Sequence, residues 1–187
     1  MVPALPAVQD RSDEGGSDAI RLETLKLYNV LDTPNEAEFD EIVADAVVAM
    51  GTPIALISLV DENRQWFKAR LGLDRSETDR SVSFCNYTIA GAGVFTVEDA
   101  TADPRFCENP LVTGDPGVRF YAGAPLTAPN GMRIGTLCVV DSKPHKRFAA
   151  EEARMLTELA DRAMKALEDR RQRTSDSDPT DCYGRDR

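Results

Sequence analysis

Four cysteines, one histidine and a few carboxylates are the residues of this sequence best suited to chemistry. Cys85, Cys107, Cys138 and Cys182 are spaced without any C-x-x-C pair, which argues against a zinc site. His145 is the only histidine. A multi-histidine metal centre is thereby excluded, and any Cys–His or Ser–His pair has one candidate base. Free cysteine is among the most buried residue types. Cys85, beside Phe84, and Cys138, between Leu137 and Val139, therefore read first as core filler. A redox pair of Cys85 or Cys107 with Cys138 requires Cα atoms within about 7 Å, which only the fold decides. Asp99, Asp103 and Arg105 read as turn residues, with Asp103-Pro104 opening a helical turn that the aspartate can cap. Arg119 adjoins an apolar hairpin, so it needs a carboxylate partner or an anionic ligand. An internal ion pair is the favoured reading.

The elements that position these residues follow from hydrophobic period. Residues 20–27 suggest a short helix. Thr33-Pro34-Asn35-Glu36 then has the form of a capping box with proline at the first helical position. Phe39, Ile42, Val43, Ala46, Val47 and Met50 follow at helical spacing, ended by Gly51. Residues 53–60 are apolar on both faces and predict a central strand. Residues 65–71 pair with it across the turn 61–64, and Asn63, Arg64 and Lys68 read as a solvated turn and strand edge. Residues 83–90 suggest one or two helical turns, 94–97 a short strand, and 101–117 a loop with a helical turn near Arg105. Residues 119–126 and 132–140 form a second hairpin around Ala128-Pro129-Asn130-Gly131, where Asn-Gly is a strong turn signal. Residues 148–171 make a long helix with Leu156, Leu159, Ala160, Ala163 and Leu167 on one face. The expected fold is α+β: an antiparallel sheet with helices packed on one face and loops and short helices over the other.

Several segments carry a family signature in this order: Pro53–Val60 with Asp61–Arg70, Ser83-Phe84-Cys85, Asp99–Phe106, Asn109–Val112, Arg119–Leu126 and Gly135–Asp141. Together they resemble the GAF domain of bacterial signalling proteins, over residues 21–167. The resemblance implies a sensory or adaptor domain that binds a small molecule or a partner and commonly forms a homodimer. It implies a ligand between the sheet and the loops after the second strand. One branch of the family attaches bilins through a Cys-His pair, but here Cys85 is followed by Asn86-Tyr87. Another reduces free methionine sulfoxide with several cysteines, and that branch's local motifs are absent. A cysteine-based redox sensor or reductase and a ligand-free interaction module are the competing classes.

Composition narrows the field further. Thirty-two acidic against 22 basic residues give a net charge of −10, which repels phosphate backbones and argues against nucleic acid. No apolar run reaches the roughly 18 residues of a membrane span. Val2–Val8 lacks a basic flank and contains two prolines, so it does not read as a signal peptide. The expected location is the cytoplasm, with reduced thiols. Residues 1–18 and 174–187 read as disordered tails around a single domain, 19–173. The expected ligand site comprises Phe84, Cys85, Phe106, Asn109, Arg119 and Tyr121, and these residues name no cofactor. The expected homodimer uses the helices starting at Ile20 and Phe148.

Overall fold

The computed structural model describes residues 14–176. Its centre is a six-stranded antiparallel sheet of order β3-β2-β1-β6-β5-β4. The strands are β1 (Ile54–Val60), β2 (Arg64–Leu71), β3 (Glu77–Asp79), β4 (Phe95–Val97), β5 (Phe120–Thr127) and β6 (Arg133–Asp141). The helices are α1 (Glu14–Lys26), α2 (Ala37–Met50), α3 (Cys85–Ala90), α4 (Pro110–Thr113) and α5 (Ala150–Asp176). The strands β1 and β6 are adjacent at the middle of the sheet, and nearly every residue of both is buried. That burial is the reason for their continuous apolar sequence.

Side-chain alternation divides the core into two layers. On one face α1, α2 and α5 pack Leu25, Phe39, Ile42, Leu156, Ala160, Ala163 and Leu167 against Ala55, Ile57, Leu59, Ala122, Ala124, Leu137 and Val139. On the other, Leu56, Val60, Phe67, Tyr121, Cys138 and Val140 meet α3, α4 and the loop between β4 and β5. The α+β arrangement with long helices on one side is therefore the observed one.

Several local expectations are corrected. The helix expected from Ile20 begins at Glu14, and α5 continues to Asp176. Residues 14–18 and 174–176 are thus helical, while the rest of both expected tails lies outside the described residues, as does Cys182. No capping box forms at α2, because Glu36 is the N-cap and makes no side-chain cap bond. Its carboxylate is drawn away by stronger partners, accepting from Lys68 Nζ at 2.6 Å and Arg170 Nε at 2.7 Å. Thr33 Oγ1 donates instead to Val30 O. Lys68, read as a solvated edge, is only 1% exposed. Its charge is compensated by Glu36, Thr33 and Pro34 O. Strand β3 and the 3-10 turn at Arg80–Val82 had no signal in the sequence.

Candidate functional site

The site is built from every second residue of three central strands. Ser58 on β1 lies opposite Thr136 on β6, Leu56 lies opposite Cys138, and Gly123 on β5 lies opposite Cys138. The helix α3 lowers Cys85 onto this strip. Its backbone N–H donates to Ser83 Oγ at 3.1 Å, and the Ser83 hydroxyl in turn donates to Gln65 Oε1. The sulfurs of Cys85 and Cys138 come to rest 4.0 Å apart. Thr136 Oγ1 donates to Cys85 Sγ at 3.0 Å and the Tyr121 hydroxyl donates to it at 3.3 Å. The hydroxyls of Tyr121 and Thr88 are 2.8 Å apart. Ser58 Oγ is buried without a well-aligned hydrogen bond, yet it lies close enough to Cys85 to favour the thiolate.

Both thiols are fully enclosed, and their protonation is split by this surround. Burial pushes the Cys85 thiol up, but hydrogen bonding from Cys138, Thr136, Tyr121 and Ser58 outweighs it and brings the group down to about 6. Cys138, which hydrogen-bonds to Cys85 and is equally buried, is pushed well above the ordinary thiol value. Burial and the neighbouring thiols likewise raise Tyr121. One proton is thus held preferentially on Cys138, and Cys85 is the more acidic of the pair.

Beside the thiols lies a cavity of about 40 Å³, which is room for a few water-sized molecules and no more. Leu56, Phe67, Phe84, Cys85, Tyr121 and Cys138 are among its walls. At its rim Arg75 Nη2 reaches Asp115 Oδ2 at 2.6 Å.

The six expected site residues divide into two groups. Phe84, Cys85 and Tyr121 line the cavity. Phe106 is buried but stacks on Phe84 at 4.1 Å between ring centroids, and meets Tyr87 edge-on at 4.8 Å. Arg105 covers the outside of this stack, 5.1 Å from the Phe95 ring. The aromatic rings thereby stack on one another within the expected ligand site. Asn109 caps α4 by accepting from Leu111 N, and donates to Val82 O at 3.0 Å. Arg119 forms a two-pronged pair with Asp99, both bonds 2.7 Å, and lies apart from the cavity. Sequence reasoning weighed Cys138 as a redox partner of Cys85 or Cys107, but passed over Ser58, Thr136 and Thr88. The available signal was strand parity: a serine and a threonine inside otherwise apolar strands, each two residues from a cavity-facing position. Among the described residues no group of three or more His, Cys, Asp and Glu could hold a metal ion. None of the described helices is long and apolar enough to cross a membrane.

The GAF domain family model matches residues 34–167, most of the chain. The chain belongs to the GAF domain family. It is 48% identical over 147 residues to a cyclic di-GMP phosphodiesterase of Pseudomonas aeruginosa, an alignment covering 79% of this chain and 25% of that enzyme. This GAF domain therefore corresponds to about a quarter of its relative's length. Solved structures with the same fold include the GAF domain of an Acinetobacter phosphoenolpyruvate-protein phosphotransferase. Its TM-score is 0.60 at 19% identity, covering 88% of this chain and 98% of that one. Free methionine-R-sulfoxide reductase from Neisseria meningitidis, solved with its substrate, has a TM-score of 0.60 at 23% identity, covering 88% and 96%. These likenesses establish the fold, which is shared by sensors and enzymes alike.

Proposed function

We propose that this GAF domain is a non-enzymatic cytoplasmic regulatory module. It receives a small-molecule signal between the sheet and the 101–117 loop and passes it to an output of the kind its relative carries, turnover of cyclic di-GMP. The observation that carries the reading is the 48% identity to a segment of a cyclic di-GMP phosphodiesterase, spread over 147 residues. The buried cluster of thiols and hydroxyls beside the cavity supports it, because such a cluster is a costly feature for a domain that only packs. The cavity's size points to a small guest, or to a larger one that displaces the Phe84–Phe106 stack.

Signalling through a homodimer belongs to the same proposal, with its location changed. Leu156, Ala160, Ala163 and Leu167 are spent on the domain's own sheet, and the outer face of α5 is charged. On α1, Ile20 and Leu27 are 56% and 68% exposed and stand two turns apart on one side. They are an apolar contact available to a second copy.

The test is made in the protein's own host, by removing the chain or overproducing it and measuring the cyclic di-GMP pool. A changed pool, lost on disruption of the cavity by Tyr121→Ala, supports the reading. An unchanged pool together with turnover of free methionine sulfoxide by the purified protein would replace it with the enzymatic alternative.

A further inference from the structure

We propose that Cys85 and Cys138 form a peroxide-reactive dithiol, oxidised to an intramolecular disulfide by hydrogen peroxide entering the cavity beneath α3. This names the chemistry of the signal and rests on the regulatory reading only for its consequence, since the thiol chemistry can be read on the isolated chain.

The two sulfurs are neighbours at 4.0 Å and both stand in the cavity wall. The cavity, about 40 Å³, admits a neutral molecule little larger than water and is too small for a planar ligand. Its apolar walls, including Leu56, Phe67 and Val118, oppose entry of charged species. The surround of Cys85 is that of an anion acceptor: two hydroxyls donate to one sulfur, from Thr136 at 3.0 Å and Tyr121 at 3.3 Å. Core-filling cysteine needs no such donors. Ser58 Oγ, buried without a well-aligned bond, adds a third hydroxyl whose interaction favours the thiolate of Cys85.

The Cys85 thiolate attacks one oxygen of the peroxide. A sulfur–oxygen bond forms, the oxygen–oxygen bond breaks, and the departing hydroxide leaves as water with the proton that Cys85 released. Cys85 is now a sulfenic acid. The sulfur of Cys138 then attacks the sulfur of Cys85, a disulfide bond forms, the sulfur–oxygen bond breaks, and a second water leaves with the Cys138 proton. Two thiols lose two electrons and one peroxide gains them. Closing the sulfurs from 4.0 Å to about 2 Å draws α3 toward β6. The aromatic roof that begins at Phe84 moves with it, and that movement is the signal.

The experiment uses the full chain carrying Cys107→Ser and Cys182→Ser, so that Cys85 and Cys138 are the only thiols. It is exposed to hydrogen peroxide, quenched by alkylation under denaturing conditions, and read by intact mass and peptide mapping. The expected result is loss of both alkylatable thiols, a mass lower by two hydrogens, a peptide linking Cys85 to Cys138, and full reversal by dithiothreitol. Adding Cys138→Ser should leave a sulfenic acid on Cys85, trapped by a cyclic 1,3-dione. Thr136→Val keeps the side-chain shape but removes one donor to a charged acceptor, and should slow the reaction roughly tenfold at neutral pH. Should that variant fail to fold, Tyr121→Phe serves the same purpose. Two thiols that stay alkylatable after peroxide, or a donor-deleted protein of unchanged melting temperature that oxidises at the original rate, overturn the proposal. Neither result bears on the cyclic di-GMP pool, so this proposal and the regulatory reading fail separately.

Discussion

The Tyr121 hydroxyl occupies the space that a side chain at position 123 would take. A Cβ built on Gly123 overlaps that hydroxyl and comes within 2.9 Å of Thr88 Oγ1. Glycine at 123 therefore has a steric cause: it lets the phenol lie along β5 and reach both Thr88 and Cys85. Gly123→Ala should displace Tyr121 and cost about 1–3 kcal/mol, the usual range for an overfilled core. For a chain of this size that corresponds to a fall in melting temperature of roughly 2–4 °C per kcal/mol. Cys85 should lose one donor in the same substitution and become slower toward a neutral alkylating agent. Calorimetry and the alkylation rate check the two halves; a protein as stable and as reactive as the parent would show that the phenol is not held there. At the same scale, the sequence offered Cys85 as core filler beside Phe84 or as one half of a redox pair with Cys138, without its hydrogen-bond donors. Its acidity arises from Thr136 and Cys138, about fifty positions away, and no local pattern announces that.

Between elements, two polar ties matter most. One is the rim of the cavity, where Arg75, between β2 and β3, meets Asp115, between α4 and β5. Both side chains are exposed, and such pairs contribute about 0.2–1 kcal/mol. Asp115→Asn should therefore open the rim modestly and speed peroxide oxidation of the thiols by roughly two- to fivefold, leaving the melting temperature nearly unchanged. A rate that stays the same would mean that access runs elsewhere. The second tie joins β2, α2 and α5, where Glu36 accepts from Lys68 and Arg170. Glu36→Gln takes the carboxylate from a buried ammonium and leaves it only neutral acceptors such as Thr33 Oγ1 and Pro34 O. It should therefore destabilise the domain by about 3 kcal/mol, the lower end for a broken buried pair. Chemical unfolding measures it. These ties also show what the sequence made legible. The strands β1 and β6 were readable because their apolar runs reflect burial on both faces, and the β5–β6 turn because Asn-Gly has a specific backbone role. Strand β3 was not, since Glu77-Thr78-Asp79 is short and polar and exists through pairing with Arg64–Trp66. Lys68 was misread because its burial depends on charges from distant segments. Phe84, Cys85 and Tyr121 line the cavity, whereas the polar atoms of Asn109, expected at a ligand, are used in capping α4 and in bonding Val82 O.

For the whole molecule, ion pairs between carboxylates and arginines carry α1 and the sheet edges. Asp18 on α1 accepts from Arg21 and from Arg80, beyond β3. Burial alone would raise its carboxyl, but the hydrogen bonds from Arg80 and Arg21 bring it from 3.8 down to about 2. Hydrogen bonds from Arg119 and Thr101 hold Asp99 far below its ordinary value. Glu36 is also lowered, as its two cationic partners outweigh the opposing effect of burial. Each of these groups binds a proton less readily folded than unfolded, so the unfolded state takes up more protons as acid is added. The Asp18 contribution is therefore complete above the unfolded value near 3.8 and disappears as the pH falls through its folded value, about 2. Stability should decline in that window, and α1 should be the element that loosens with Asp18. Asp18→Asn tests this cleanly. The variant should be less stable than the parent at neutral pH and converge on it toward pH 2, where the parent carboxylate is itself protonated. Hydrogen exchange should localise the neutral-pH loss to α1 and the Arg80–Val82 turn. A constant difference between the two proteins from pH 7 to pH 2 would mean that Asp18 acts through packing rather than through its charge. A chain begun at Ala19 should share the neutral-pH loss of Asp18→Asn, because it lacks the same carboxylate and the first turn of α1, residues 14–18. A chain begun at Ala19 that is as stable as the parent would show that this turn adds nothing to the fold.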